Sequence, residues 1–339
     1  MNINIFGSTG IIGRKTLELV DHFPKIKVNL LCAKSNSKLL NKQIYKYKPN
    51  YVFLFDIEKI KDINLKGSKT KILNFNELLS YLDSSKSNLS LLAISGYKSL
   101  YYLENIISNT DNLGLVSKEV VVSAGHIFKK KKYFSKTKIF PLDSEHFSLF
   151  DFFNKVNYNY KINKIFITAS GGPFYKKKFK NLENINFLDA INHPKWKMGY
   201  KNSIDSATLV NKCLEIIETH YLFDIPFDKI NILVHPEAIV HSVIEYENYV
   251  SHFNLFSSDM KIPILNFLLN IKPLEKKLDD KKLKLNYFNN LNFEKVNKDT
   301  FPIYSFFNSM NKEIPQNLIK FNMGNEYAVN LFKNKIIKY

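Results

Sequence analysis

The string "NINIFGSTGIIG", residues 2–13, constrains the fold of this chain more than any other segment. Its first five residues are typical of a short buried strand, and apolar residues at helical spacing, Leu17 and Val20, follow it. Glycines recur between the two patterns at Gly7, Gly10 and Gly13. A strand, a glycine turn and a helix predict a dinucleotide site, because backbone N–H groups at a helix N-terminus can approach a pyrophosphate. An ordinary tight turn is the alternative.

Strands and helices continue to alternate up to about residue 142. The predicted strands cover 27–33, 51–55, 89–94 and 112–116, and the predicted helices cover roughly 36–47 and 98–109. Polar and apolar residues do not alternate in these strands, which indicates a parallel sheet covered by helices on both faces. We therefore predict an α/β fold in which residues 1–142 form an N-terminal Rossmann-like domain with a doubly wound parallel sheet.

The pattern after residue 142 is typical of an α+β domain. It predicts a helix over 144–154, a strand over 164–170, a long helix over 203–220, and strands that can pair antiparallel within 229–236 and 238–256. The segment 269–300 is rich in Lys, Asn and Leu, whereas 302–337 has helical spacing. We predict a central α+β domain over 143–268, a linker over 269–300 and a C-terminal helical domain over 301–339.

Composition argues against nucleic acid, membrane and secreted disulfide-rich proteins. The net charge is +18, but Arg14 is the one arginine among 49 basic residues, and specific base recognition depends on arginine. A bias toward residues with AT-rich codons explains the charge, so we expect no nucleic-acid partner. No apolar run approaches the ~20 residues of a membrane span, and no export signal precedes "NINIF". Two cysteines, Cys32 and Cys213, fit a cytoplasmic protein.

The string "PLDSEHFSLF", residues 141–150, places four polar side chains directly behind an apolar stretch. A surface turn is one interpretation, and a metal site is the other. In an extended segment, alternate side chains share a face, so Asp143 and Glu145 would point the same way with Ser144 opposed. The remaining segments decide between the two interpretations.

The residues after the second strand indicate the type of cofactor. An NAD site usually has a carboxylate there for the ribose hydroxyls. This chain has Ala33, Lys34, Ser35 and Asn36 instead, and a cation suits the 2′-phosphate of NADP. The alternative is that Lys34 is one of many lysines that composition explains.

Three further segments carry candidate site residues. "SGGPF" (170–174) follows a strand and forms either a phosphate cradle or a tight turn. In "SIDSATLVNKCLE" (203–215), Asn211, Lys212 and Glu215 can share a helix face, although a Lys–Glu pair at this spacing is usually a surface salt bridge. "HPKWKMG" (193–199) contains Trp196 and is either a packed turn or a lid that covers a ligand.

Together these segments resemble one family, the 1-deoxy-D-xylulose 5-phosphate reductoisomerases. The matching strings are "GSTGIIG" (7–13), "SKE" (117–119), "PLDSEH" (141–146), "SGGPF" (170–174), "HPKWKMG" (193–199), "SIDSATLVNKCLE" (203–215), "HPEAIVHS" (235–242), "SDMKIPI" (258–264) and "NMGNEYAV" (322–329). The resemblance implies an NADP-dependent oxidoreductase that rearranges a phosphosugar with the help of Mn²⁺ or Mg²⁺ and then reduces the product with NADPH. It also implies a homodimer.

The resemblance assigns roles to residues at the matching positions. The metal ligands are Asp143, Glu145 and Glu215, and the catalytic residues are Lys118, Glu145 and His193. The substrate contacts are Lys118, Ser144, Glu145, Ser170, His193, Ser203, Asn211, Lys212 and Glu215, of which Ser170, Ser203, Asn211 and Lys212 hold the phosphate. The cofactor contacts are Thr9, Gly10, Ile11, Ile12, Lys34, Ser35, Asn36, Ser117, Glu119 and Gly199.

The chain departs from the family pattern at a few positions. Ser117 replaces the usual Asn, Lys34 and Ser35 replace a Gly-Lys order, and Ser258 and Lys261 replace Pro and Arg. The family also continues past the last matching string, so the C-terminal helical domain is expected to be shortened.

Two other classes of protein fit the sequence less well. An enzyme of the aspartate-semialdehyde dehydrogenase type needs a nucleophilic cysteine, but Cys32 lies in a predicted strand and Cys213 lies in a helix beside Lys212. A basic RNA-binding module on the same fold is disfavoured, because the three carboxylates at the metal positions would repel phosphates.

Overall fold

The computed structural model describes residues 1–128, 136–156, 160–177, 182, 184–196, 198–274 and 290–339. The chain divides into two compact units. The first unit comprises Met1–Val120, Lys129–Asp143 and Asp259–Lys281, and the second unit comprises Val121–Phe128, Ser144–Ser258 and Lys282–Tyr339. The domain boundaries predicted at 142, 268 and 300 stay a prediction, and much of the predicted linker lies outside the described residues.

The described residues form the following elements. The strands are β1 (Asn2–Phe6), β2 (Lys27–Ala33), β3 (Tyr51–Leu54), β4 (Lys71–Leu73), β5 (Ser87–Leu92), β6 (Thr110–Leu115), β7 (Lys138–Pro141), β8 (Ile162–Ala169), β9 (Ile230–Val234), β10 (Val240–Tyr246), β11 (Ser251–Leu255) and β12 (Glu294–Lys295). The helices are α1 (Ile11–Val20), α2 (Ser37–Tyr47), α3 (Phe75–Ser84), α4 (Leu103–Ser108), α5 (Lys118–Phe128), α6 (Ser144–Lys155), α7 (Phe187–Ile191), α8 (Tyr200–Ala207), α9 (Val210–Phe223), α10 (Lys261–Leu269), α11 (Pro302–Ser309) and α12 (Pro315–Lys333).

The first unit contains a parallel sheet in the order β4-β3-β2-β1-β5-β6-β7. Its central strands are mostly buried, with Ile3, Ile5, Leu30 and Leu91 all 0% exposed. Strands β2 and β5 flank β1. The chain therefore builds β2, β3 and β4 on one side of β1 and later returns to build β5, β6 and β7 on the other side. Ligands of such sheets bind at this switch point, outside the carboxyl ends of the strands. The predicted doubly wound parallel sheet is confirmed.

A segment distant in sequence completes the core of the first unit. Helix α10 packs against α1. The ring of Phe267 lies edge-on to that of Phe140, with centroids 5.3 Å apart. Gly114 of β6 leaves room for the side chains of Phe267 and Leu142, because a Cβ there would lie 3.1 Å from Phe267 and 2.9 Å from Leu142.

The second unit contains a mixed sheet in the order β11-β10-β8-β9-β12. Strands β8 and β9 are parallel, whereas β10 pairs antiparallel with both β8 and β11. The antiparallel pairing of β10 with β11 lies within the segment 238–256, for which the sequence predicted it. Helices α6 and α9 cover the sheet through a core that includes Leu149, Ile167, Cys213 and Ile217.

The helix predicted over 203–220 is two helices, α8 and α9. Leu209 between them has φ 68° and ψ 2°, a left-handed conformation that cannot continue a helix. Its side chain is only 1% exposed, so packing of Leu209 in the core favours the break. No Gly or Pro marks this position, and the helical spacing of the sequence continues across it.

The predicted C-terminal helical segment is divided into α11 and α12, with Pro315 at the start of the second helix. Within the described residues, no helix combines the length and apolarity needed to cross a membrane.

Candidate active site

The glycine loop of the first unit lies at the carboxyl end of β1. Gly7 has φ 94°, and the N–H groups of Gly7 and Ser8 both donate to the carbonyl oxygen of Cys32 at 2.9 Å. A Cβ at Gly7 would overlap the backbone of Ala93, which follows β5. Only glycine combines this dihedral angle with so close an approach. The loop is therefore held tightly at the switch point of the sheet.

Helix α1 begins directly after this loop and presents its N-terminus there. Gly10 is its N-cap, with no side-chain capping bond and no acidic residue in the first turn. The predicted cofactor residues Thr9, Gly10, Ile11 and Ile12 form this N-terminus and are all partly or fully exposed. An uncapped N-terminus with its positive dipole end suits a phosphate group.

The segment after β2 lies beside the loop, because β2 is the neighbour of β1. Lys34, Ser35 and Asn36 are all exposed there. The side-chain oxygen of Asn36 accepts a hydrogen bond from the N–H of Leu39 at 3.0 Å, which caps α2. Lys34 brings a cation to this edge, and no carboxylate occupies residues 33–36.

Two further predicted cofactor residues belong to the first unit. The Ser117 hydroxyl is buried and donates to the carbonyl oxygen of Ile94 at 2.5 Å, so it is already used to join the ends of β5 and β6. Glu119 is buried in the first turn of α5. The remaining predicted residue, Gly199, belongs to the second unit and is the N-cap of α8.

Lys118 and Asp143 form an ion pair in the first unit, with side chains 10% and 21% exposed. Lys118 begins α5, and Asp143 follows β7. The family resemblance assigns them to different roles, catalysis and metal binding, and the structure brings the two together.

The prediction that Ser144 points away from Glu145 is wrong. The segment is not extended at this point, because helix α6 begins at Ser144. In the first turn of a helix consecutive side chains do not lie on opposite faces, and the Ser144 hydroxyl donates to Glu145 Oε2 at 2.5 Å. Serine and glutamate therefore belong to one cluster.

That cluster also contains one face of α9. Lys212 Nζ donates to Glu145 Oε1 and, at 2.7 Å, to Glu215 Oε2, and the Asn211 amide donates to Glu215 Oε1. The shared face predicted for Asn211, Lys212 and Glu215 is confirmed. A surface salt bridge is excluded as the explanation, because Lys212 is 7% and Glu215 is 0% exposed.

The charges in this cluster shift each other's pKa values. Burial alone would raise the pKa of the Glu145 carboxyl, but Lys212 outweighs it and lowers this pKa to about 2. Burial would likewise lower the pKa of Lys212, but Glu145 and Glu215 outweigh it and raise this pKa. The lysine is therefore protonated and the Glu145 carboxylate is ionised at neutral pH. One carboxylate oxygen of Glu145 lies within 4.8 Å of one carboxylate oxygen of Glu215, a spacing that can hold a divalent cation.

His193 and Ser170 form a second group in the same unit. His193 Nδ1 accepts from the N–H groups of Lys195 at 3.1 Å and Trp196 at 2.9 Å, so Nδ1 carries no proton. Nε2 therefore bears the proton and lies 3.2 Å from the Ser170 hydroxyl. Burial, followed by the charge of Lys212, lowers the pKa of His193 to about 4, so the ring is neutral at pH 7.

The loop after β8 approaches α8 closely. A Cβ at Gly172, where φ is 66°, would lie 2.8 Å from the carbonyl oxygen of Ser206. Ser203, the predicted phosphate contact of α8, is 1% exposed. Trp196 is partly buried, and its ring lies 6.5 Å from that of His241.

Three buried residues near the carboxylate cluster, His146, Glu218 and His241, were not among the site residues predicted from the sequence. Burial lowers the pKa of His241 to about 4 although the Glu145 carboxylate opposes this. His146 Nε2 lies 3.0 Å from the carbonyl oxygen of Glu215, and His146 Nδ1 lies 3.7 Å from Glu218 Oε2. The strings "DSEH" and "HPEAIVHS" contain both histidines, but nothing in their spacing brings them to the cluster.

Comparison with known protein families gives three matches along the chain. Residues 3–125 match the family described as 1-deoxy-D-xylulose 5-phosphate reductoisomerase, and residues 139–223 match the C-terminal domain of that enzyme. Residues 255–339 match a further family, described as DXP reductoisomerase C-terminal domain.

Curated relatives carry the same description. A 1-deoxy-D-xylulose 5-phosphate reductoisomerase from Clostridium tetani is 39% identical over 344 residues, which cover 100% of this chain and 89% of the relative. One from Thermodesulfovibrio yellowstonii is 42% identical over 262 residues, which cover 77% of this chain and 68% of the relative.

Solved structures agree in fold. A DOX-P reductoisomerase in complex with NADPH, fosmidomycin and magnesium has a TM-score of 0.86 and 28% identity, over 100% of this chain and 86% of that chain. The Zymomonas mobilis 1-deoxy-D-xylulose 5-phosphate reductoisomerase in complex with NADPH has a TM-score of 0.87 and 30% identity, over 99% and 88% of the two chains.

Proposed function

This chain belongs to the 1-deoxy-D-xylulose 5-phosphate reductoisomerase family, and from that membership we propose the residues that carry its reaction. It is an NADP-dependent oxidoreductase. It rearranges the carbon skeleton of 1-deoxy-D-xylulose 5-phosphate and then reduces the aldehyde that results. The product is 2-C-methyl-D-erythritol 4-phosphate, a precursor in the non-mevalonate isoprenoid pathway.

The buried cluster of Glu145, Lys212 and Glu215 carries the proposal. The buried carboxylates of Glu145 and Glu215, whose oxygens lie close together, suit a hard divalent cation such as Mg²⁺ or Mn²⁺. A bound cation would supply Lewis-acid polarisation of the ketone and hydroxyl oxygens of the substrate. Asp143 is proposed as a third ligand because it stands two positions before Glu145 in the family string "DSEH". The choice of manganese or magnesium in the cell belongs to the same proposal.

The hydrogen-bond donors around the cluster suit a phosphosugar. Asn211 and Lys212 can donate to phosphate oxygens as well as to their present carboxylate partners. Ser170 and Ser203 add hydroxyl groups, and the neutral His193 has its proton on Nε2, where it can donate to the substrate. Because the phosphate is remote from the reacting carbons, its binding energy can orient them.

The remaining predicted residues are proposed to act on charge and on the cofactor. Lys118 can stabilise negative charge that develops on a substrate oxygen, since its ammonium group is held beside Asp143. NADPH, which supplies the hydride, suits the uncapped N-terminus of α1 and the cation at Lys34. Ser35, Asn36, Ser117, Glu119 and Gly199 stay proposed cofactor contacts.

Oligomeric state and compartment are part of the proposal. A homodimer follows from the family resemblance, and a cytoplasmic location from the two unpaired cysteines, which are both buried. Sedimentation of the purified protein would test the first.

The experiment that tests the function follows NADPH absorbance with 1-deoxy-D-xylulose 5-phosphate and Mn²⁺ or Mg²⁺. Wild-type protein should oxidise NADPH, and EDTA should stop the reaction. Glu145→Gln should be inactive while the exposed control Glu247→Gln should behave as wild type. Folded wild-type protein that binds NADPH but turns over with neither metal would contradict the proposal.

A further inference from the structure

We propose that Gln43 is a positioning residue of the nucleotide site, which fixes the direction of one peptide group in the loop that receives the pyrophosphate of NADPH. The proposal rests on the cofactor function proposed above for this loop. Gln43 lies in α2, which contributes its exposed N-terminal end to the predicted cofactor contacts. The glutamine itself is 5% exposed.

The contact that carries the proposal is a single buried hydrogen bond. Gln43 Nε2 donates to the backbone carbonyl oxygen of Ser8 at 2.8 Å. Ser8 is 0% exposed, so water cannot replace this donor without a change in the loop. The N–H of Ser8 donates at 2.9 Å to the carbonyl of Cys32. Ser8 is thus held through both of its backbone polar groups.

A planar peptide group transmits this constraint to the next residue. The carbonyl of Ser8 and the N–H of Thr9 belong to one trans peptide, in which the two bonds point in opposite directions. While Gln43 holds the carbonyl toward α2, the N–H of Thr9 must point away from α2. A flip of this peptide would turn a carbonyl oxygen to the side where that N–H now points, and an oxygen there would repel a phosphate.

The polar atoms of Gln43 indicate that its N–H donor, and not its size, is what positions the loop. Among the described residues, neither Gln43 Oε1 nor Ser8 Oγ has a hydrogen-bond partner, although both atoms are buried. A buried polar atom without a partner destabilises the fold. An apolar side chain of similar length at position 43 would fill the same space without that cost. The glutamine adds one thing that such a side chain lacks, the N–H donor to Ser8.

The test compares two substitutions of similar size. Gln43→Met keeps the length and removes all polarity, whereas Gln43→Glu keeps the shape and removes the N–H donor. Lys42→Met is the matched control, because Lys42 is exposed on the same helix. The dissociation constant of NADPH is measured by calorimetry without substrate, followed by the KM of each substrate, kcat and the melting temperature.

Both Gln43 variants should weaken NADPH binding by about tenfold, the effect of removing one donor from a buried acceptor. The KM for 1-deoxy-D-xylulose 5-phosphate and kcat at saturating NADPH should stay within about twofold of wild type, and Lys42→Met should match wild type throughout.

Several outcomes would overturn the proposal. Wild-type NADPH affinity in both variants would show that the donor is not needed. Equal losses for NADPH and for the phosphosugar, or failure of both variants to fold, would show that Gln43 supports the whole fold and not the loop. Wild-type protein that binds no NADPH would instead overturn the cofactor function, and this inference with it.

Discussion

Lys212 and Glu145 form an ion pair whose side chains are only 9% and 11% exposed, although the two residues lie 67 positions apart on different helices. The lysine comes from α9 and the glutamate from the first turn of α6. Because Lys212 also contacts Glu215, one ammonium group balances two carboxylates. Removing one partner of such a buried pair leaves charge that neither water nor protein compensates.

Lys212→Met should therefore lower the free energy of unfolding by about 3–5 kcal/mol, since two buried carboxylates then repel each other. Urea unfolding at neutral pH measures this loss. Lys155→Met is the control, because Lys155 is 65% exposed in its pair with Asp151, and it should change stability by less than about 1 kcal/mol. Equal effects of the two substitutions would contradict the assignment of Lys212 to a buried network.

Metal binding should depend on Glu215. Titration calorimetry should show that Glu215→Gln binds Mn²⁺ about tenfold more weakly than wild type, because a neutral amide replaces a proposed ligand. Glu237→Gln serves as the comparison, since Glu237 contacts Asn292 and His235 instead of the cluster. Wild-type Mn²⁺ affinity in Glu215→Gln would exclude this glutamate as a ligand.

Gly7→Ala should destabilise the first unit more than a change of backbone dihedral angle explains. Gly7 (φ 94°) and Gly67 (φ 74°) are both in the left-handed region, but a Cβ at Gly67 meets nothing within 4 Å. Gly67→Ala should cost about 1 kcal/mol from backbone strain alone. Gly7→Ala should cost several-fold more, because its Cβ overlaps the backbone of Ala93. Thermal unfolding of the two variants gives the comparison, and equal losses would contradict a tight contact at Gly7.

Acid should weaken the fold through His193. Its pKa is lowered from 6.5 to about 4 in the folded protein, so the unfolded chain binds more protons between these values. The contribution of neutral His193 to the free energy of unfolding is therefore fully present above pH 6.5, and it is lost as the pH falls toward about 4. His193→Gln should lose less stability than wild type between about pH 7 and about pH 5, as measured by urea midpoints. Parallel losses in both proteins would show that the ring titrates normally.

Cofactor choice should depend on Lys34. Lys34→Ala should reduce the preference for NADPH over NADH by about tenfold, because one charge-assisted contact to the 2′-phosphate is lost. Lys38→Ala is the matched control, since Lys38 is an exposed lysine in the first turn of α2, shortly after Lys34. The ratio of kcat/KM for the two cofactors is the measurement. An unchanged ratio in Lys34→Ala would show that Lys34 does not contact the 2′-phosphate and is one of the many lysines that composition explains.

Several parts of the fold were predictable because local chemistry determines them. The strand, glycine turn and helix at residues 2–20 follow from apolar spacing and from glycine dihedral angles, both of which act over a few residues. The shared face of Asn211, Lys212 and Glu215 follows from helix geometry in the same way. Neither prediction needed a contact between distant segments.

The parts that failed or were missed depend on tertiary packing. The bend at Leu209 is set by the core around its side chain and not by a helix-breaking residue. The extended geometry expected at Ser144 is a different case, because the helix predicted over 144–154 does begin at that residue, and helical side chains do not alternate between two faces. The contacts of His146 with Glu215 and of Gln43 with Ser8 join segments that only the fold brings together.

The position of α10 has a consequence for biosynthesis. Phe267, 1% exposed, and the fully buried Ile264 and Leu268 belong to the core of the first unit, yet the ribosome adds them after all of Ser144–Ser258. The nascent chain must therefore keep an incomplete apolar surface on its N-terminal part while the second unit emerges. Such a surface is prone to aggregation during translation, and closing it requires a long loop of chain. A fragment that ends near residue 142 should consequently need chaperones more than the complete chain does, even though it contains all seven strands of its sheet.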